Sequence, residues 1–350
     1  MEPPPSDRAA RLVDVAKLAK VSRATAARAL GGYGLVTDAT RERVLAAANE
    51  LNYRVNELAR SMRSGRSLTI GVVVADIANS FFNTAIRAII ETASGAGYQI
   101  LVLNTDDDIE RERDAVRVLT EKRVDGLIVV PASRTDIAHL KGGGDPEVPL
   151  VLLDRYVDAD DIDYVISDDF AAAQGAIQEL ERLGHTKIGL LVATAQVREY
   201  SPALPDAVVS TVHERYSGAL EAMPHSSRNG AWVRFSRGNV DTASQAALEI
   251  LQEEYRPTAI LATNEEMALG VVQAANNLGM VIGSDLSIIA FDDAPWARVF
   301  NPPISVIRRP VEALGSMAVR LLLRKMEDST FRESFKLKAE LVMRGSVRQL

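Results

Sequence analysis

From Leu68 onward, apolar stretches rich in β-branched residues alternate with stretches of helical periodicity, and this alternation constrains the fold more than any other feature. LTIGVVVAD precedes a helix expected around Phe82–Ala96, YQILVLNT precedes one at Glu110–Lys122, and VDGLIVVPA closes that series. PLVLLDRY and DYVISD lead into a helix at Phe170–Leu183, after which KIGLLVAT, TAILATN and LSIIAFDD continue the pattern. Strands that are apolar along their whole length must be covered on both faces, which means a parallel sheet flanked by helices. About 280 residues of this kind exceed one compact core, so the expectation is an α/β core of two doubly wound parallel-sheet lobes.

Residues 12 to 63 are different. They read as short helices at Leu12–Ala19, Arg23–Leu30, Asp38–Leu51 and Glu57–Met62, with Ser22 and Thr37 placed as N-caps of the second and third. Through Ser67 the chain carries 12 basic and 7 acidic residues, and the remainder carries 28 and 40. The net charge of −7 therefore hides a basic head on an acidic body. A head of this sign is compatible with a nucleic-acid partner even though the whole chain is acidic.

The head has the layout of an all-α helix-turn-helix. Val15, Leu18 and Ala19 supply an apolar face on the first helix, Val21 plugs the turn, and Ala26 and Ala29 suit the inner face of the second. Arg23, Thr25 and Arg28 are left for the outer face, where a helix in the major groove can present arginine to two acceptors of one guanine. An ordinary three-helix bundle with a solvated basic face accounts for the same pattern without DNA.

Other functional classes find little support. The sequence has no cysteine, which removes disulfides, thiol nucleophiles and Cys-type zinc sites and fits a reducing, cytoplasmic setting. The longest apolar runs, such as Ile70–Ala75, are far short of a membrane span, and MEPPPSDRAA lacks a secretory apolar core, so no membrane partner is expected. There is no G-x-S-x-G elbow, no Walker loop and no metal-binding His pair; GGYG at 31–34 follows a helix, unlike a dinucleotide loop. The four histidines (139, 185, 213 and 225) are scattered, and His185 in LGHTK reads as part of a helix-to-strand turn. Neither an enzyme, a metal nor a cofactor is expected.

The motifs Asp14-Val15-Ala16, Val21-Ser22, Thr25, Arg28, Thr40-Arg41, Val44, Leu51-Asn52-Tyr53 and Ala59-Arg60 run in order into Ile70-Gly71, and then into VDGLIVV, LDR, LGHTKIGLL, TNEEMALG, SIIAFDD, NPPISVIRRP and LVMRGSV. Taken together they resemble the LacI/GalR (lactose-repressor) family of transcription regulators over nearly the whole chain. The resemblance implies a disordered tail at 1–10, a DNA-binding head at 11–55, a hinge helix and linker at 56–67, and a periplasmic-binding-protein-like core at 68–350. Its first lobe would comprise 68–166 and 304–328, and its second 167–303 and 329–350. It also implies a homodimer repressing at a palindromic operator in double-stranded DNA under the control of a small-molecule effector.

By this resemblance Lys20, Ser22, Arg23, Ala24, Thr25 and Arg28 face DNA, and Asn56, Arg60 and Met62 belong to the hinge, with Met62 as the apolar wedge in the minor groove. Phe81, Phe82, Asp154, Arg155, Arg215, Asn264, Asp292 and Trp296 would line the effector cleft. Carboxylates and arginines beside an aromatic face suit a polyhydroxylated ligand, so a carbohydrate is the first expectation and a purine or nucleoside the second. The chain departs from the family pattern at Arg11, Lys20, Ala26-Ala27, Gly31 and Val55, which bears on phosphate contacts and operator sequence. The segment 198–211 is longer than the family's usual loop before Arg215.

Overall fold

The computed structural model describes residues 10–31, 34–53, 66–141, 148–194, 196–197, 203–206, 208–228 and 230–350. The chain divides into two compact units, Met1–Leu68 and Thr69–Leu350. The expected hinge residues Asn56, Arg60 and Met62 lie outside the described residues, as do residues 1–9 of the expected tail and residues 198–202 and 207 of the expected insertion at 198–211.

In the first unit, α1 (Leu12–Leu18), α2 (Arg23–Gly31) and α3 (Asp38–Glu50) close around Val15, Ala16, Ala19, Ala26, Ala29, Val44, Ala47 and Ala48. Val21 packs on this cluster from the turn, as its position requires. Leu18 does not: it is 41% exposed, because the buried stripe of α1 runs through Val15, Ala16 and Ala19 and leaves Leu18 on its flank. Small residues on all three helices let their axes approach closely, so this core is built from alanine rather than from large side chains. Ser22 caps α2 by accepting the Thr25 N–H at 3.0 Å, whereas the Thr37 hydroxyl donates to Thr40 Oγ1 and leaves α3 without a side-chain cap.

The second unit holds two six-stranded sheets. In the first, β1 (Thr69–Val74), β2 (Gln99–Asn104), β3 (Gly126–Val129), β4 (Leu150–Leu153), β5 (Tyr164–Ser167) and β11 (Phe335–Leu337) lie in the order β11-β5-β4-β3-β1-β2, all parallel. In the second, β6 (Ile188–Ala193), β7 (Val233–Ser236), β8 (Ala259–Ala262), β9 (Ser287–Phe291), β10 (Ser305–Arg308) and β12 (Glu340–Val342) lie in the order β12-β10-β9-β8-β6-β7, with only β12 antiparallel. Central strands are buried throughout, as their unbroken apolar runs require. The helices α4 (Ser80–Gly95) and α5 (Ile109–Glu121) belong to the first lobe, and α6 (Asp169–Arg182), α7 (Ser210–Ala222), α8 (Val240–Leu251), α9 (Glu265–Asn277) and the short α10 (Pro295–Val299) to the second. The last helix, α11 (Val311–Glu327), returns to the first lobe, where Gly315 lies against the backbone of α4 at Ala85 and Gly126 of β3 lies against Leu322.

The expected lobe boundaries need correcting. Ser305–Arg308, assigned from sequence to the first lobe, pairs with β9 in the second sheet, and Phe335–Leu337, assigned to the second, pairs with β5 in the first. Three connections therefore cross between lobes: after β5, after β10 and after β11. A Cβ on Gly218 of α7 would stand 2.2 Å from the carbonyl oxygen of Phe170 on α6, so only glycine allows these two helices their separation. That close approach brings Arg215, one turn earlier on α7, beside the start of α6.

Candidate ligand cleft and DNA-facing helix

Parallel sheets present ligands at the carboxyl ends of their strands. Here the crossing connections set the carboxyl ends of both sheets around one cavity of about 470 Å³. Its wall includes Phe81, Phe82, Asp154 and Arg155 from the first lobe and Arg215, Asn264 and Asp292 from the second. Seven of the eight expected residues are therefore brought together. Trp296 is the exception and a correction: on α10 it turns inward onto the second-lobe core, edge-on to Phe300 at 6.3 Å, where residues four apart share a face.

The two aspartates that end central strands, Asp154 after β4 and Asp292 after β9, both adopt left-handed backbone, at φ 67° and 74°. Such geometry in a non-glycine residue costs of the order of 1–3 kcal/mol and persists where the surroundings impose it. Their backbone N–H groups are held by Val165 and Ile307 of neighbouring strands, and both side chains meet on Arg309, which sequence reasoning missed. Its Nε and Nη2 donate to both carboxylate oxygens of Asp292 at 2.8 and 2.9 Å, and its Nη1 donates to Asp154 at 2.5 Å. The guanidinium also lies 3.7 Å from the centre of the Phe81 ring. One buried cation thus ties an aspartate of each lobe to the aromatic floor. Burial works against its charge, but the three carboxylates of Asp292, Asp154 and Asp169 outweigh that and raise its pKa. The signal available in sequence was its place directly after β10, the same strand-end position that pointed to Asp154 and Asp292.

A second knot sits beside the first. Arg215 donates from Nε to Asp169 at 2.7 Å and from Nη1 to the Thr263 carbonyl at 2.7 Å, with its plane against Phe291. For Asp169, burial raises the pKa, but Arg215, Arg309 and the Ser167 hydroxyl together hold it below the usual carboxylate range. For Asp154 burial dominates, and its pKa is raised in spite of Arg309 and Arg155. Arg155 is fixed by Asp107 at 2.5 Å and by the Pro131 carbonyl at 3.1 Å. Asn264 uses its carbonyl oxygen to cap α9 through the Met267 N–H, leaving its amide nitrogen at the cleft. Phe81 and Phe82 meet edge to face at 5.1 Å and are both buried. The lobes also touch across the cleft at Asn79–Glu266 (3.1 Å), Ser80–Glu265 (2.5 Å) and Tyr156–Glu214 (3.0 Å).

On the first unit, Ser22, Arg23, Ala24 and Arg28 are accessible along α2, and Lys20 is exposed in the turn before it, with φ 54°. Thr25 is half-buried, its hydroxyl 2.9 Å from that of Ser22. Arg28 lies back along the helix, with its nearest acceptors, Ala24 O and Thr25 Oγ1, at 3.4 and 3.5 Å. Contacts this long hold it weakly, so the guanidinium can turn outward at little cost. Among the described residues no helix is long and apolar enough to cross a membrane, and no cluster of three or more His, Asp or Glu residues is arranged to hold a metal.

Comparison with known proteins finds a separate family match for each of two stretches of the chain. The family model described as bacterial regulatory proteins, lacI family, matches residues 11–56, and a periplasmic binding protein-like domain matches 177–347. The HTH-type transcriptional repressor PurR of Vibrio vulnificus is 31% identical over 97% of this chain and 99% of its own. The lac repressor dimer bound to operator and the anti-inducer ONPF superposes with a TM-score of 0.83 at 27% identity, covering 97% of this chain and all of that one. A LacI family regulator from Enterococcus faecium with bound ribose superposes with a TM-score of 0.68 at 26% identity, over 81% of this chain and 99% of that one. With a helix-turn-helix head, a two-lobed core and repressors as full-length relatives, the chain belongs to the lacI family of bacterial regulatory proteins and is a DNA-binding transcriptional repressor, not an enzyme.

Proposed function

We propose that the protein represses transcription as a homodimer on a palindromic operator, and that a small molecule held between its lobes sets its affinity for DNA. Lys20, Ser22, Arg23, Ala24, Thr25 and Arg28 face the major groove in this reading, with Arg23 or Arg28 bonded to a guanine, while Asn56, Arg60 and Met62 act from the hinge. Phe81, Phe82, Asp154, Arg155, Arg215, Asn264 and Asp292 surround the effector. The observation that carries the proposal is the salt bridge of Arg309 to one aspartate from each lobe at the wall of the cleft. A ligand that rearranges that bridge changes how the lobes are held, and a coupling of about 1–3 kcal/mol changes operator affinity roughly 5–150-fold.

For the effector, a purine base or nucleoside takes precedence over the carbohydrate first expected from sequence. PurR repressors are among the relatives, at 31% identity, and Phe81 and Phe82 contribute aromatic rings to the cleft wall, where Phe81 already carries the Arg309 guanidinium. Arg237, also on the cleft wall, has no hydrogen bond or ion pair among the described residues and supplies a planar guanidinium to the same cavity. A sugar is the second reading, favoured by the ribose-bound relative and by the carboxylate-rich wall. A thermal-shift series on the full-length protein with adenine, guanine, adenosine, inosine, ribose and glucose separates them. A ligand at 100 times its Kd stabilises by about 2.7 kcal/mol, which raises Tm by roughly 5–10 °C. A shift with sugars alone would reject the purine reading.

A further inference from the structure

Six carboxylates line the cleft: Asp76, Asp106, Asp107, Asp154, Glu266 and Asp292. Four are already answered by arginine, Asp154 and Asp292 by Arg309, Asp107 by Arg155 and Asp106 by Arg111. Asp76 gives one oxygen to the N–H of Ala78 at 2.8 Å. Glu266 differs from all of them. Its Oε1 is held by the Asn79 side-chain amide of the opposite lobe, which fixes the carboxyl group, while its Oε2 is buried and has no hydrogen-bond partner among the described residues. A buried, oriented oxygen without a donor is a costly arrangement, and the residue that carries it contributes to the wall of a ligand cleft.

From this geometry we infer that Glu266 is the residue by which the repressor selects an effector bearing an amino group. The inference rests on the reading of the cleft as the effector site. The number of hydrogens decides for an amine over a hydroxyl. Asp76, also on the wall, is near enough for its charge to act on Glu266, so two carboxylates face the same region. An amino group brings at least two N–H donors to that pair, whereas a hydroxyl brings one. Burial holds the Glu266 pKa above the ordinary carboxylate range, and the charges of Glu265 and Asp76 push it the same way, against the lowering effect of its own backbone N–H and of the Asn79 amide. Asn79, which caps α4, and Glu266, in the first turn of α9, come from opposite lobes. An amine seated here therefore reports on lobe closure as well as on ligand identity.

The test compares ligand pairs that differ in an amino group: adenosine against inosine, and glucosamine against glucose. Each is titrated calorimetrically into full-length wild-type and Glu266→Gln protein. The substituted glutamine can still accept from Asn79 through its amide oxygen, so the unliganded variant should melt within about 2 °C of wild type; Glu266→Ala serves as a second variant. The wild type is expected to favour the amino member of whichever pair binds by at least about tenfold, since a site built around a hydrogen bond discriminates strongly against the analogue lacking it. Glu266→Gln, which replaces an acceptor by a donor, should abolish or reverse that preference, and Glu266→Ala should abolish it. Equal binding of both members by wild type, or an unchanged preference in both variants, overturns the inference. Binding of the sugar pair alone, with the amino preference intact, rejects the purine reading and keeps the role of Glu266. Silence toward both pairs counts against both.

Discussion

Replacing Arg309 by Met tests the central claim about the cleft, that one buried cation holds two lobes together. Methionine keeps much of the stem volume and removes three short charge-assisted hydrogen bonds, at 2.5, 2.8 and 2.9 Å. The side chain is only 3% exposed and those of Asp154 and Asp292 are 4% and 10% exposed, so water cannot take its place without opening the cleft. Removing one partner of a buried ion pair costs about 3–5 kcal/mol, against a total stability of about 5–15 kcal/mol. At roughly 2–4 °C per kcal/mol the melting temperature should fall by about 6–20 °C. The effect should depend on pH in a specified direction. Burial already raises the Asp154 pKa, and without Arg309 it rises further. The folded state of the variant then binds a proton that the unfolded chain, with its ordinary Asp pKa, does not bind. Its stability deficit should shrink as pH falls from 8 toward 5 and grow as pH rises through the folded-state pKa. Full-length wild type and Arg309→Met would be melted at four pH values, each with and without Asp292→Asn, to complete a double-mutant cycle. Asp292→Asn should cost the wild type more than it costs the variant. A melting temperature within about 2 °C of wild type, with a parallel pH profile, would refute the electrostatic account.

Three further predictions concern separate parts of the chain. Arg28→Ala should weaken operator binding by about 1–3 kcal/mol and relax discrimination at one base pair, read by mobility shift on operator variants; unchanged binding to the native site would remove Arg28 from base reading. Gly218→Ala drives a methyl group to within 2.2 Å of the Phe170 carbonyl, a contact that backbone cannot relieve locally. It should lower stability by about 1–3 kcal/mol and weaken ligand binding through displacement of Arg215, both measurable on the purified variant. His185, fully buried between the Thr258 hydroxyl and the Arg348 carbonyl, has its pKa lowered by burial. The unfolded chain therefore takes up the proton first as pH drops through about 6.5, and folding stability should decline there; His185→Gln should lack that part of the slope in denaturant titrations between pH 7.5 and 5.5.

How much of this was legible in the sequence depends on whether a feature is set by neighbours along the chain or by partners far from it. The alternation of strand and helix is local, and the helices at Phe82–Ala96, Glu110–Lys122 and Phe170–Leu183 appear within two residues of their expected ends. The helix-turn-helix was readable because Ala26 and Ala29 share one face of α2. Leu18 misled because α1 has only seven residues, too few for its periodicity to separate a flank from a face. Sheet membership of Ser305–Arg308 and Phe335–Leu337 was not readable, since strands of four and three residues carry the same pattern in either lobe. Trp296 went astray for a related reason: five residues beyond a strand, its direction is set by the helix it joins.

The electrostatics of the cleft shows the same limit most sharply. A composition states how many charges a chain has but not which of them meet. Asp154, Asp169, Asp292 and Arg309 are separated by as many as 155 residues, yet they form one buried cluster. Glu266 and Asn79 are 187 residues apart and share a hydrogen bond. Sequence located the acidic and basic strand ends correctly and suggested that they would meet a ligand. What it could not express is that Arg309 and Arg155 already occupy three of the cleft carboxylates, Asp154, Asp292 and Asp107. The consequence is physical. A ligand that donates hydrogen bonds to the carboxylates of this cleft must either displace an internal arginine, which loosens the joint between lobes, or find an acceptor still open, and among the lining carboxylates Glu266 offers the buried one. Under the proposed function the first route couples binding to the lobes and the second selects the ligand, so coupling and ligand choice should be separable by mutation: Arg309 substitutions should alter the coupling, and Glu266 substitutions the choice.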